Sequence, residues 1–199
     1  MTIATERGYA KGRAKRAEII DRATAMFGEV GYRGASLREI AARCGISHPG
    51  LLHHFPTKEA LLIAVLEHRD DQDVERYFTP PVVGLDQLRR VVDLVGHNAA
   101  RRGIVELFCV LSAEATAADH PAHDYFVRRY RVTLAGMTEA FERVRDAGTL
   151  RDGVDPASAA RELVALLDGL QLQWLLDDGA TPMADEVRRY VQERLTVPL

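Results

Sequence analysis

Apolar residues recur at intervals of three and four along almost the whole chain, and no segment alternates with the period of two that a half-buried strand requires. The pattern predicts helices throughout. Ile20, Ala23, Phe27 and Val30 form a first stripe that stops at Gly31. Ser36-Leu37-Arg38-Glu39 has the form of a capping box, in which a Ser oxygen and a carboxylate three residues on satisfy free amides at a helix start. That helix points Leu37, Ile40 and Ala41 inward and ends at Gly45, a residue free to adopt positive φ. Ser47 caps the next helix, with Pro49 in its first turn, where a missing N–H costs nothing. Thr57 caps a fourth that runs through Leu61, Leu62, Val65 and Leu66 toward Tyr77.

After Thr79-Pro80-Pro81 a second group begins, with Leu88, Val91, Val92, Val95 and Ala99 on one stripe. Residues 104–118 are apolar nearly all round, as in a central helix. His120-Pro121, Asp155-Pro156 and Thr181-Pro182 each read as a cap followed by Pro at the first helical position. They predict helices over roughly 121–147, 155–177 and 182–196. The expected fold is all-α with about nine helices. It comprises an N-terminal three-helix domain over 11–57 and a larger helical domain over 58–199.

Composition narrows this little: 47% hydrophobic and 28% charged residues are ordinary for a water-soluble domain. No run reaches the roughly 18 apolar residues of a membrane span, because Glu106 and Asp168 interrupt the two most apolar stretches. The N-terminus has no apolar core of a signal peptide. Cys44 and Cys109 lie far apart without a CxxC partner. A cytoplasmic protein is expected. Charge is more informative. Residues 1–59 carry ten Lys/Arg against six Asp/Glu, while the other 140 carry 16 against 23. A basic head on an acidic body fits a protein whose head alone meets a polyanion.

Residues 36–55 hold a short helix, a turn at Cys44-Gly45-Ile46-Ser47 and a second short helix ending at Phe55. In such a helix-turn-helix the second helix lies in the DNA major groove and the first crosses the backbone. The second helix, His48-Pro49-Gly50-Leu51-Leu52-His53-His54-Phe55, contains no carboxylate, which suits a phosphate-lined groove.

The longer stretch RAEIIDRATAMFGEVGYRGASLREIAARCGISHPGLLHHFPTKEALLIAVLE resembles the N-terminal domain of the tetracycline-repressor (TetR) family over its whole length. Phe27 with Gly31-Tyr32, then Ser36-Leu37-Arg38-Glu39-Ile40-Ala41, Gly45-Ile46-Ser47, Leu51, His53-His54-Phe55 and Lys58-Glu59-Ala60-Leu61-Leu62 carry the likeness. The stretch LVALLDGLQLQWLLDD is similar to the family's penultimate helix. The resemblance implies a regulator, most simply a repressor, that binds palindromic double-stranded operator DNA as a dimer and is released by a small, mainly apolar inducer. The alternative is an activator, or a DNA-binding regulator that needs no ligand.

The same resemblance places Ser36, Arg38, Ser47, His48, Pro49, Gly50, His53, His54 and Lys58 at DNA-contacting positions. Arg38 is also the side chain here best able to bond G O6 and N7 bidentately. Leu52 stands where the family usually has an aromatic residue, often Tyr, so one phosphate contact is missing. Lys11, Arg13, Lys15 and Arg16 read either as an arm reaching the minor groove or as a solvated tail.

For the inducer, helices 5–8 offer His97, Phe108, Met137, Phe141, Gln171 and Trp174, a mixture of apolar bulk and polar tips that also suits an ordinary core. Leu163, Leu166, Leu167, Leu170 and Trp174 on helix 8, with Val187, Tyr190, Val191 and Leu195 on helix 9, form apolar stripes. They suggest a homodimer through those two helices, with burial inside one chain as the alternative. His120 and His123 have metal-ligand spacing but no fixed third ligand, so they read as capping residues before metal ligands. No nucleophile elbow, phosphate loop, HExxH or dinucleotide fingerprint occurs, and no enzymatic activity, cofactor or metal is expected.

Overall fold

The computed structural model describes residues 3–199, with side chains from residue 12 onward. The helices are α1 (Ile3–Gly34), α2 (Leu37–Arg43), α3 (His48–His54), α4 (Lys58–Phe78), α5 (Leu85–Asn98), α6 (Arg102–Glu114), α7 (His123–Asp146), α8 (Pro156–Leu176) and α9 (Met183–Gln192). The all-α class and the count of nine agree with the sequence pattern among the described residues. The chain divides into two compact units, Met1–Asp70 and Asp71–Leu199, and the division falls inside α4.

In the first unit Ile19, Ile20, Ala23, Met26 and Phe27 of α1 are buried with Ile40, Ala41, Leu51, Phe55, Leu61, Leu62, Val65 and Leu66. Each large side chain enclosed in this way contributes about 1.5–3 kcal/mol. Val30, expected on the inward stripe, is 53% exposed. Helical geometry breaks one residue later, at Gly31 with φ 73°, so Val30 stands at the end of the regular helix while Phe27, earlier in the same turn, is buried.

Ser36 does stand at the N-cap of α2 with extended backbone, but its side chain makes no capping bond. The reciprocal box fails because Glu39 is drawn to Arg43 one turn on (3.2 Å), and Glu29 of α1 holds the same guanidinium at 2.8 Å. The other two caps form: Ser47 Oγ accepts from the Gly50 amide (3.1 Å) and Thr57 Oγ1 from the Ala60 amide (3.1 Å). Gly45, at φ 63°, makes the tight turn between α2 and α3.

The second unit is built around α5, α7, α8 and α9. Leu88, Val91, Val92 and Val95 of α5 meet Met137, Ala140, Phe141 and Val144 of α7 in one core. Ala160, Leu163, Leu170 and Trp174 of α8 and Val187 and Val191 of α9 complete it. Of the three expected Pro starts only one behaves as expected: Asp155 Oδ2 accepts from the Ser158 amide (2.8 Å), with Pro156 opening α8. Pro182 is itself the cap of α9, and α7 begins at His123, two residues beyond Pro121. There His120 Nδ1 accepts from the Ala122 amide (3.2 Å) and the His123 ring meets the Ala115 carbonyl (2.8 Å), tying down the preceding loop. α9 also ends earlier than expected, and Leu195 pairs with Leu150 in an isolated bridge.

α6 is not the enclosed central helix its composition suggested. Val105, Leu107, Phe108 and Leu111 are buried, but Val110 on the opposite side is 50% exposed. No described helix is long and apolar enough to cross a membrane.

Candidate nucleic-acid interface and effector region

The head presents α3 by its anchors. Leu51 is fully buried and Phe55 nearly so, which fixes the inner side of a seven-residue helix. Pro49 and His53 are then exposed, and His48, Gly50, Leu52 and His54 half-exposed. No acidic residue lies on α3. Just before it, α2 leaves Ser36 and Arg38 exposed. Gly50 leaves room for the cap: a Cβ there would stand a tight 3.2 Å from Ser47 Oγ. The Ser47 hydroxyl therefore has a structural task, holding the first turn of α3, besides any outward one.

Lys58 is less free than its sequence position suggested. Its Nζ donates to the Arg33 carbonyl (3.2 Å) and sits 4.6 Å from the centre of the Tyr32 ring. Burial lowers its pKa. Tyr32 in turn donates to Glu59 (3.2 Å), and burial with that carboxylate raises the phenol to about 12. The basic segment 11–16 is helical, and two of its residues face the head. Lys15 pairs with Glu18 (2.6 Å) and donates to the Cys44 carbonyl (3.2 Å), while Arg16 lies 4.7 Å over the Phe55 ring. The Lys11 side chain lies outside the described residues. Arg16 and Tyr32 were not singled out as brace residues by the sequence. The useful signal was their aromatic and cationic partners, which only the fold brings near.

The six candidate effector residues fall into different surroundings. Met137, Phe141 and Trp174 share the main core of the second unit. Phe108 packs edge-on to Phe126 (6.0 Å) with Arg129 over its ring (5.2 Å). Gln171 is half-buried on α8. His97, near the end of α5, opens onto a cleft of about 560 Å³ lined also by Gln72, Asp73, Glu75, Arg76 and Arg101. These five residues were not anticipated, because they come from α4, whose polar end the sequence gave no reason to place beside His97, and from the turn after α5.

The apolar stripes of α8 and α9 are mostly spent inside the chain. Leu163, Leu170, Trp174, Val187, Val191 and Leu195 are all buried in one protomer, so the apolar face of α9 needs no partner to explain it. Tyr190 and Arg194 close the seam on the polar side, both bonding Glu162 (3.0 and 2.8 Å). The large apolar residues that α8 leaves exposed are Leu172 (53%) and Leu176 (80%).

Residues 19–65 match the model of bacterial regulatory proteins of the tetR family, and residues 84–196 match the C-terminal domain of BetI-type transcriptional repressors. The chain belongs to the tetR family. It is therefore a transcriptional regulator with a DNA-binding helix-turn-helix and a helical C-terminal domain of the ligand-binding kind.

Among relatives, this TetR-family regulator is 26% identical over 178 residues to the regulator UidR of Escherichia coli, covering 86% of this chain and 85% of UidR. It is 24% identical over 170 residues to the A-factor receptor protein of Streptomyces griseus, covering 85% of this chain but only 58% of that receptor's length. Among solved structures it resembles SmeT, the repressor of a Stenotrophomonas maltophilia multidrug efflux pump, in complex with triclosan. The TM-score is 0.75 at 26% identity, covering 90% of this chain and 89% of that one.

Proposed function

We propose that this TetR-family regulator is a cytoplasmic repressor that acts by binding, without catalysis. In this reading residues 11–57 read a palindromic operator and residues 58–199 bind a ligand and dimerise. Arg38 reads a base edge, Ser36, Ser47, His48, Pro49, Gly50, His53 and His54 line the groove, and Lys58 steadies the backbone of the head or of DNA. The observation that carries this is the acid-free outer side of α3, held by Leu51 and Phe55 and flanked by the exposed Arg38. A helix so anchored can enter a groove without unfolding its own support.

Two copies would join through α8 and α9, with Leu172 and Leu176 as the apolar contribution of α8. A two-fold dimer is what a palindromic operator requires. The inducer would be small and mainly apolar, entering among α5–α8 near Phe108, Met137, Phe141 and Trp174, with Gln171 or His97 orienting one polar group. SmeT, solved with triclosan, supports that chemistry by likeness. An inducer shifts occupancy only by its differential affinity for two states, and moving from about 99% to 1% competent takes roughly 5.5 kcal/mol.

Gel shifts of the purified protein on DNA flanking its gene, with and without a panel of apolar phenols, test the reading. Retardation relieved by a phenol is expected. Retardation that no compound relieves favours a ligand-independent regulator, and an operator placed upstream of the polymerase site favours an activator.

A further inference from the structure

The cleft beside His97 has a chemistry of its own. Arg76 lies on the side of α4 that faces the end of α5, and its Nη1 donates to His97 Nε2 at 3.2 Å. Its other partner is the Tyr77 ring, 6.0 Å away, and Tyr77 also lies against the His97 ring (5.8 Å). A guanidinium has five donors, so this cation has most of them unspent. Arg101 is committed to the buried Asp73 at 3.1 Å. Burial, Arg101 and Arg76 together hold the His97 imidazole below its ordinary value, against the opposing pull of Asp73. The imidazole is thus a neutral acceptor for Arg76 and brings no charge. The remaining lining group with a charge is Glu75.

We infer that this cleft is a binding site for a small monocarboxylate; it shares only His97 with the proposed effector region and takes the rest of its lining from α4 and Arg101. Its carboxylate would lie on the free edge of Arg76, with the organic part in the cleft lined by Gln72, His97 and Arg101. A carboxylate matches the planar fork of an arginine bidentately. Glu75 sets the selectivity: Asp73 is paired with Arg101, whereas the Glu75 carboxylate on the rim repels a dianion such as hydrogen phosphate more than a monoanion.

The experiment is calorimetric titration of the purified full-length protein, without DNA, using benzoate, benzamide and inorganic phosphate. Benzoate is expected to bind saturably, one per chain, and the neutral benzamide and phosphate to bind far more weakly. Arg76→Gln should weaken benzoate about tenfold, the loss of one charge-assisted bond. Arg76→Lys should restore part of it, and Glu75→Gln should strengthen benzoate and admit phosphate. In an NMR titration, bound benzoate should move the His97 ring resonances and raise the pH at which they shift. Benzamide binding as well as benzoate, phosphate binding better than benzoate, or still His97 resonances at saturation would each overturn the assignment. So would an Arg76→Gln protein with an unchanged melt and unchanged benzoate affinity. Should Arg76→Gln not fold, Glu75→Gln decides: no gain in benzoate affinity would refute the site. None of these readouts depends on an operator, so failure here leaves the DNA-binding proposal standing.

Discussion

The two units of this regulator use their apolar residues in opposite ways. In the head, a small core of α1, α2, α3 and the start of α4 exists to hold one short helix outward, and the polar residues of α3 are left without internal work, apart from the Ser47 cap. In the body, side chains that read as available for a ligand or a partner are consumed by the core: Phe141, Leu163 and Val187 are fully buried. The head advertises its function in residues it exposes. The body instead shows a buried apolar core and, beside His97, a polar cleft.

The sharpest way to break this contrast is on α8. Leu170 is 5% exposed inside the protomer, whereas Leu172, two residues on, is 53% exposed. Leu170→Glu places an unpaired charge in the core and should cost on the order of 4 kcal/mol, unfolding the body in a thermal melt followed by circular dichroism. Leu172→Glu should leave the melt of the protomer within about 0.5 kcal/mol of wild type, as surface changes do. In analytical ultracentrifugation it should nonetheless shift dimer toward monomer. A Leu172→Glu protein that stays fully dimeric would move the interface off that side of α8.

In the head the larger effect belongs to an exposed residue. Arg38→Ala should cost about 1–3 kcal/mol of operator affinity and relax base preference at one position, read by gel shifts on single-base operator variants, with the melt unchanged. Ser47→Ala removes the cap of α3 and should cost about 1 kcal/mol of head stability. Its loss of DNA affinity should be similar on every sequence, because it loosens the helix without touching the reading of a base.

The smallest expected effect separates the units by pH. His97 in the folded body titrates below its ordinary value of about 6.5. Above 6.5 the imidazole is neutral whether folded or unfolded, and its contribution is fully present. As pH falls through 6.5 the unfolded chain takes up a proton that folded His97 resists, so stability declines toward the lower folded value. His97→Gln should flatten that decline in melts of the protein between about pH 7.5 and 5. A decline of the same slope in the variant would assign it to other groups.

How much the sequence revealed differs between the units for a physical reason. Helix starts and stops in the head are local: Ser47 with Pro49, Thr57 before Lys58, and Gly45 each act within a few residues, so spacing alone exposes them. Ser36-Leu37-Arg38-Glu39 shows the limit, since Glu29, ten residues upstream, helps hold the Arg43 that takes Glu39 away. In the body the period of the α8 and α9 stripes was legible, but periodicity does not say what covers a stripe. Burial within the protomer decides that, with α5 and α7 supplying the cover. His97 was recognisable as a polar tip on an apolar helix; Arg76, 21 residues away, and the unspent edge of its guanidinium were not.

The central claim is that α3, with Arg38 beside it, reads an inverted repeat. Quantitative DNase footprinting of the purified dimer on DNA flanking its gene tests it most directly, comparing wild type with a folded Arg38→Ala, His53→Ala double variant. Protection of two half-sites about one helical turn, roughly 34–36 Å, or a multiple of it apart is expected, weakening steeply with salt. The double variant should lose it. Absence of a protected inverted repeat in wild type, or equal protection by the double variant, would contradict the account.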